Sequence, residues 1–224
     1  NGMTWSKEVH VLDGRSPPGN GWYAAFTKDP NRDHIHLMFL WHASKDNLPH
    51  SRRNLYYMQM DHSTGKWTSM ENEKLNTPLS FEEANGKVMI FDSKNKYSSI
   101  PQHWLTVDGR PVGLNRISDR DGVDTRHLHV WTGESWRTQE VPIDVILKPE
   151  KNEWVGFRSR EGTVQRFTSK DEGAHWTPGE VILKTDGEQN LNALFAEAHP
   201  DAVLAIVDKV DEQRVPGKQR LWVW

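Results

Sequence analysis

The sequence predicts an all-β fold of four-stranded antiparallel blades, and three observations carry that prediction. Short runs of alternating apolar and polar residues recur along the 224-residue chain, the period-two pattern of strands with one buried face. A turn followed by tryptophan occurs at Gly2 to Trp5, Asp61 to Trp67, Thr132 to Trp136 and Ser169 to Trp176. The composition is polar, with mean hydropathy −0.78 and 35% hydrophobic residues, as expected of many short strands that each cover one face. A turn-plus-Trp unit repeated at such spacing points to a β-propeller.

The elements follow in order. Residues 5–11 read as a lone outer strand whose blade partners do not precede it, and a Gly/Pro-rich loop fills 13–21. The first blade spans 22–70, with strands at 22–27, 34–41, 54–60 and 67–70. The polar segment 71–101 holds one extra apolar strand at 87–91. The second blade spans 103–141, with strands at 103–107, 111–117, 127–131 and 136–141. The third spans 143–183, with strands at 143–148, 153–158, 163–168 and 176–183. The fourth, 192–224, has strands at 192–197, 202–207 and 219–224, one short. Residues 1–224 are therefore read as one propeller domain in which 1–11 supplies the outer strand closing the last blade, since pairing the termini removes exposed sheet edges.

Ser169, Asp171, Gly173 and Trp176 fit the pattern Ser-x-Asp-x-Gly-x-x-Trp. This stretch resembles the Asp-box, or bacterial neuraminidase repeat, of sialidase-like β-propellers, with His175 where that motif usually has Thr. In that family the motif closes the hairpin between the third and fourth strands of a blade and is structural. The residue types suit a tight turn, since Asp171 can accept hydrogen bonds from its own loop, Gly173 can take a positive φ, and Trp176 can wedge between blades. The resemblance implies a sialidase-like β-propeller with about four blades visible. Sialidase-like rings usually carry more, so a fragment of a larger propeller is favoured over a closed ring of four. Asn1 is neither an initiator Met nor part of a leader, which fits a mature or truncated piece of a secreted or periplasmic protein.

Composition excludes several classes. A net charge of −3 gives no argument for nucleic acid. No apolar run reaches the roughly 20 residues of a membrane-spanning helix. Without cysteine there are no disulfides or thiolate metal sites. No cofactor and no metal are expected; Asp119, Asp121 and Asp124 could offer oxygen ligands to a structural Ca²⁺, against the plainer reading of a solvated acidic loop. Most of the eleven tryptophans are assigned to blade packing, with Trp22, Trp41 and Trp104 as candidates for sugar stacking.

Strand alternation places the Asp-box-like turns on one face and the loops between second and third strands on the other, where propellers put their sites. Those loops and the segments leading into each blade carry His42, His50, Arg52, Arg53, Arg126, His127, Arg158, Arg160, Gln102 and His103. Arg forks grip carboxylates and sulfates in bidentate fashion, so an anionic polysaccharide or oligosaccharide is the expected partner; the sequence leaves the oligomeric state open. Taken singly, each Arg is more simply a solvated surface residue, and His36 a satisfied core histidine. Tyr56 and Tyr57 are adjacent on one strand, so at most one can face a site.

Stretches 23–79 and 99–136 also resemble the propeller polysaccharide lyases that act on uronic-acid polymers such as ulvan. The resembling pieces are Ile35-His36-Leu37, His50 shortly before Asn54-Leu55-Tyr56-Tyr57, Lys66-Trp67, and Val107-Asp108-Gly109-Arg110-Pro111. In those lyases a His, with Tyr and Arg nearby, removes the proton α to a uronate carboxylate while cations neutralise it. The resemblance implies His50 or His42 as base, Tyr56 or Tyr57 as acid, and Arg52, Arg53 or Arg126 as carboxylate clamp. His127, Gln102, His103, Arg158 and Trp22 complete the expected substrate-binding set. That family often places Asn-His-Asp directly before the third strand, where this chain has His50-Ser51-Arg52-Arg53-Asn54. Two alternatives stand beside the lyase: a sialidase-type glycoside hydrolase, which needs a Tyr/Glu pair and an Arg triad, and a non-catalytic glycan-binding propeller.

Overall fold

In the computed structural model, which describes residues 8–14, 20–43, 52–119, 121–147, 152–184, 189–195, 202–208 and 221–223, antiparallel hairpins follow the sequence alternation. Two units are distinguished, residues 1–101 with 118–122 and residues 102–117 with 123–224.

The first unit holds one sheet in the order β1 (Gly21–Lys28), β2 (His34–His42), β3 (Arg52–Asp61), β4 (Lys66–Thr68) and β5 (Lys74–Leu75). Beyond β5 come a helix, α1 (Phe81–Lys87), then β6 (Met89–Phe91), which pairs with β3, and β7 (Tyr97–Ser98). Alternation assigns the faces. Leu37, Phe39 and Trp41 of β2 join Tyr56 and Met58 of β3, with Trp67, Leu75, Leu79, Ala84 and Val88, in one buried cluster. Trp22 packs edge-on against Phe39, Trp41 and Tyr56, and its Nε1 donates to the Asp13 carbonyl at 3.1 Å. The opposite face, with His36, Met38, Leu40 and Tyr57, is buried as well.

Helix α1 lies where the sequence reading had polar chain followed by a strand at 87–91. Seven residues are too few for a periodic apolar pattern, but the capping signal was present: Ser80 Oγ accepts from Glu83 N while the Glu83 carboxylate accepts from Ser80 N. Glu82 and Glu83 in the first turn and Lys87 in the last complement the helix dipole. The strand itself is shorter and starts at Met89. Of the lone outer strand expected at 5–11, residues 5–7 lie outside the described residues. The adjoining chain runs against Leu79, which donates to the Val11 carbonyl at 3.0 Å and accepts from Asp13 N at 2.8 Å.

The second unit carries three sheets. The first has the order β8 (Gln102–Leu105), β9 (Pro111–Ser118), β10 (Asp124–Trp131), β11 (Trp136–Val141). The second runs β12 (Val145–Ile146), β13 (Trp154–Arg160), β14 (Thr163–Ser169), β15 (Thr177–Lys184). The third is β16 (Gln189–Phe195), β17 (Ala202–Asp208), β18 (Leu221–Val223). The first two share a core of Trp104, Val112, Leu114, Leu128, Val130, Val141, Ile143, Ile146, Trp154 and Phe167, with Trp176 packed against it.

The turn between β14 and β15 is the Ser-x-Asp-x-Gly-x-x-Trp stretch. Ser169 Oγ donates to Asp171 Oδ1 at 2.8 Å and accepts from Gly173 N at 2.9 Å. Asp171 Oδ1 also accepts from His175 N at 2.9 Å, and its Oδ2 lies 2.6 Å from His175 Nδ1. These bonds, led by the His175 amide, hold the Asp171 carboxyl well below the usual carboxylate range. The turn is tied to the preceding sheet: Arg110 grips both oxygens of Glu172, Arg137 donates to the Glu172 carbonyl, and Gln139 donates to the Gly173 carbonyl at 2.6 Å. Gly173 has φ +79, and a Cβ there would overlap Leu128 Cδ2. Gly173→Ala should therefore cost about 2–4 kcal/mol in urea unfolding, because it combines left-handed strain with overpacking.

Two buried histidines make stability depend on pH. Burial pulls His36 down to about 4 against the opposing field of Asp29, and burial pulls His129 down to about 3. His129 is bonded at Nδ1 to Thr138 Oγ1 and at Nε2 to Asn115 Oδ1, both at 2.9 Å. Both imidazoles are neutral when folded and charge readily when unfolded, so the unfolded state binds more protons below pH about 6.5. Stability should be full above that value and fall toward pH 4, by about 1 kcal/mol per pH unit for each histidine. His36→Gln and His129→Gln should each flatten the fall in a urea-midpoint series across that range.

Candidate functional site at the end of the first sheet

The end of the first sheet nearest residues 43 and 52, where β2 leaves and β3 returns, brings four chemistry-bearing side chains together. His42 and Arg52 are cross-strand partners on β2 and β3. The Tyr23 ring of β1 stands edge-on to His42 at 5.3 Å, and the Arg52 guanidinium carbon lies over the same ring at 4.3 Å. Arg52 Nη1 donates to the Tyr97 hydroxyl at 3.0 Å. All four side chains are half-buried. Among the described residues no carboxylate pairs with Arg52, so a cation held between two phenols keeps donors for an external anion.

The approach of His42 to Arg52 depends on a bulge. Phe39 faces Tyr56 and Trp41 faces Arg53, so two residues on β2 oppose three on β3. The extra residue is accommodated where Asn54 has φ +57, a conformation that asparagine tolerates better than most residues. Asn54 is tied to the chain before β7: Ser93 N donates to Asn54 Oδ1 at 3.1 Å, Asn54 N donates to Ser93 Oγ at 3.2 Å, and Ser93 Oγ donates to the Lys96 carbonyl at 2.9 Å.

The other expected site residues are distributed as follows. His50 lies outside the described residues. Tyr56 is not at the site: its ring stacks on Phe39 in the core, its hydroxyl donates to Asn85 Oδ1 at 2.8 Å and accepts from Asn54 Nδ2 at 3.1 Å, and burial pushes it up to about 12. Tyr57 faces the other way, as the alternation requires, but its hydroxyl bonds His36 Nδ1 and burial pushes it above the ordinary tyrosine range. His36 Nε2 in turn stands 3.6 Å from Asp29 Oδ2, which accepts from Arg32 Nε at 2.6 Å.

Arg53 Nη1 donates to Asn95 Oδ1 at 3.2 Å. Trp41 and Trp104 are buried in the cores, and Trp22 is half-buried against the first of them. In the second unit Arg126 is paired with Asp144 at 2.8 Å, and Asp144 also accepts from Ser159 N, so this clamp candidate already holds a carboxylate. His127 bonds Thr125 Oγ1 at 3.0 Å and stacks near His129; Gln102 and His103 lie half-buried on β8; Arg158 covers the Phe167 ring and donates to Gln165. Asp124 pairs with Arg116, and among the described residues no group of three or more acidic or imidazole side chains is arranged to hold a metal ion. Tyr23 and Tyr97 were missed as site residues, because only the register of β1 on β2 and the placement of β7 reveal them.

Residues 3–143 match the BNR repeat-containing family. The chain belongs to that family. It is 25% identical to an ulvan lyase of Nonlabens ulvanivorans over 93% of its own length and 50% of that protein. It is 23% identical to an ulvan lyase of Pseudoalteromonas sp. (strain PLSV) over 96% of its length and 50% of that protein. The chain thus spans about half the length of the curated relatives it matches. Its fold is that of a solved ulvan lyase bound to a glucuronate–rhamnose 3-sulfate chain, with TM-score 0.78, 20% identity, all of this chain and 56% of that one. A Hadza microbial sialidase matches with TM-score 0.54 at 16% identity, over 92% of this chain and 44% of its own. The blades are therefore those of a sialidase-like β-propeller.

The structural placement of Tyr56 can be checked directly. Tyr56→Phe should lower stability by about 1–2 kcal/mol through the lost hydroxyl bonds, measured by urea unfolding. It should leave any turnover of a uronic-acid polysaccharide within about twofold, whereas loss of a general acid would cost at least about 100-fold.

Proposed function

We propose that this BNR-family chain carries the catalytic blade of a polysaccharide lyase that cleaves an anionic, uronate-containing polysaccharide by β-elimination. The observation that carries the reading is the convergence of His42, Arg52 and Tyr23 at one sheet end, with Arg52 lacking a carboxylate partner among the described residues. The ulvan lyase relatives support the reaction class and an anionic substrate.

The chemistry needs three functions. The C5 proton of a uronate is weakly acidic, and its removal leaves charge that spreads into the carboxylate. Arg52 pairs with that carboxylate and stabilises the charge as it develops. His42 takes the proton as general base. The C5–H electron pair becomes the C4=C5 double bond, the C4–O bond breaks, and the departing oxygen takes a proton from an acid, for which Tyr23 beside His42 is the candidate. His50, on the chain leading into Arg52, is the second candidate base. A polymeric substrate of this kind places the site of action outside the cytoplasm. No helix among the described residues is long and apolar enough to cross a membrane.

The competing readings have less to stand on. A glycan-binding propeller would need exposed stacking platforms, and two of the three candidates, Trp41 and Trp104, are buried in cores. The sialidase-type hydrolase rests on a fold likeness at 16% identity, which carries no chemistry.

Incubation with a panel of uronic-acid polysaccharides, ulvan among them, should raise ultraviolet absorbance as unsaturated uronate forms. His42→Ala and Arg52→Ala should each reduce that rate by about 100-fold or more. New reducing ends without absorbance would turn the reading to hydrolysis, and retention of polymer without cleavage would turn it to binding.

A further inference from the structure

We propose that Tyr97 is a positioning residue that fixes the rotation of the Arg52 guanidinium. The proposal rests on the reading of Arg52 as the carboxylate clamp and adds a residue to it. An Arg fork grips a carboxylate with two parallel N–H bonds only when its plane matches that of the anion. A solvated Arg side chain samples many rotamers and loses them on binding; a side chain fixed beforehand does not.

Arg52 is fixed by two kinds of contact, ring faces and a hydroxyl, and Tyr97→Phe removes the second alone. The Tyr23 ring lies under Cζ at 4.3 Å and the Tyr97 ring 5.8 Å from it, contacts that favour a guanidinium plane facing the rings. The Tyr97 hydroxyl, accepting from Nη1 at 3.0 Å, defines its rotation within that plane. The second contact requires an acceptor, which phenylalanine would not supply. It engages one Nη1 hydrogen, and among the described residues the edge formed by Nε and Nη2 has no hydrogen-bond partner for an anion to displace.

Tyr97 is itself held in place by the chain before it. Ser93 is bonded to Asn54 in both directions and to the Lys96 carbonyl, Asp92 accepts from Lys94 N at 2.8 Å, and Arg53 donates to Asn95. The segment 92–97 is thereby fastened residue by residue along 52–54, and Asn54 is anchored from the core by the Tyr56 hydroxyl. A segment fastened this closely to the strand carrying Arg52 is built to present one hydroxyl at a fixed place.

Side-chain ¹⁵N spectra give a readout that needs no substrate. In the wild-type protein the Arg52 Nη signals, assigned by their loss in Arg52→Lys, should be resolved by hindered rotation; in Tyr97→Phe they should merge. Hindered rotation that persists in Tyr97→Phe overturns the proposal. Kinetics on a glucuronate–rhamnose 3-sulfate oligosaccharide give the second readout. Tyr97→Phe should raise KM about 5- to 10-fold with kcat within about twofold, and in Arg52→Lys it should add almost nothing, since the two residues act as one unit.

The failures are separable. If Arg52→Lys leaves KM unchanged, or no turnover of the oligosaccharide is seen, the clamp reading falls and the spectra alone decide what Tyr97 does. If Arg52→Lys raises KM but Tyr97→Phe does not, the clamp stands and the positioning role is wrong. A fall in kcat together with a lowered Tm in Tyr97→Phe would mark a merely structural tyrosine and also overturn the proposal.

Discussion

The extra residue that Asn54 introduces into β3 decides which arginine meets His42. Side chains on a strand alternate between faces, so a shift of one residue exchanges them. Without the bulge the register set by Phe39 and Tyr56 would continue, His42 would face Arg53, and Arg52 would lie on the opposite side. The bulge persists because a left-handed asparagine is tolerable and because its side chain is bonded on both sides, by Ser93 and by the Tyr56 hydroxyl. A backbone irregularity of modest cost thus sets the composition of the candidate site.

The same interaction explains why Tyr56 is where it is. A buried phenol must satisfy its hydroxyl or bear a desolvation cost of roughly 1–3 kcal/mol. Tyr56 does so by reaching Asn85 on α1 and Asn54 on the bulge at once. The hydroxyl joins the helix, the strand and the segment leading to Tyr97 in one line of polar contacts across an otherwise apolar cluster. Satisfied networks of this kind rigidify what they connect. The residue that sequence reasoning placed among the acids supports the site from beneath.

Much of the fold was legible because its signals are local. The period of two located most strands to within a few residues but not the two-residue β5 and β7, which are too short to show alternation, and the Ser169–Trp176 spacing marked a turn whose hydrogen bonds close on Ser169 and Asp171 as the motif's chemistry suggests. Helix α1 was missed because its seven residues lack a periodic face, although Ser80 and Glu83 carried its capping signal. The site was legible only in part. His42 and Arg52 were named, since loop cations next to a strand are visible in sequence. Tyr23 and Tyr97 were not, because their arrival depends on pairings between segments far apart in the chain. Arg126 misled for the same reason: its partner Asp144 is invisible until β10 and the chain before β12 are brought together.

His36 and His42 show how one strand produces two kinds of histidine. They lie six residues apart on β2, roughly 20 Å at about 3.3 Å per residue, and alternation puts both on the same face. His36 sits near the turn end, wholly buried, bonded to the Tyr57 hydroxyl and within reach of Asp29. Burial keeps its imidazole neutral down to about pH 4, and protonating it would place charge inside a packed sheet. Its contribution is therefore to stability. His42 ends the strand, half-buried, against the edge of Tyr23 and opposite Arg52. The sequence reading of His36 as a core histidine agrees with its full burial, and position along the strand is what separates it from His42 at the candidate site.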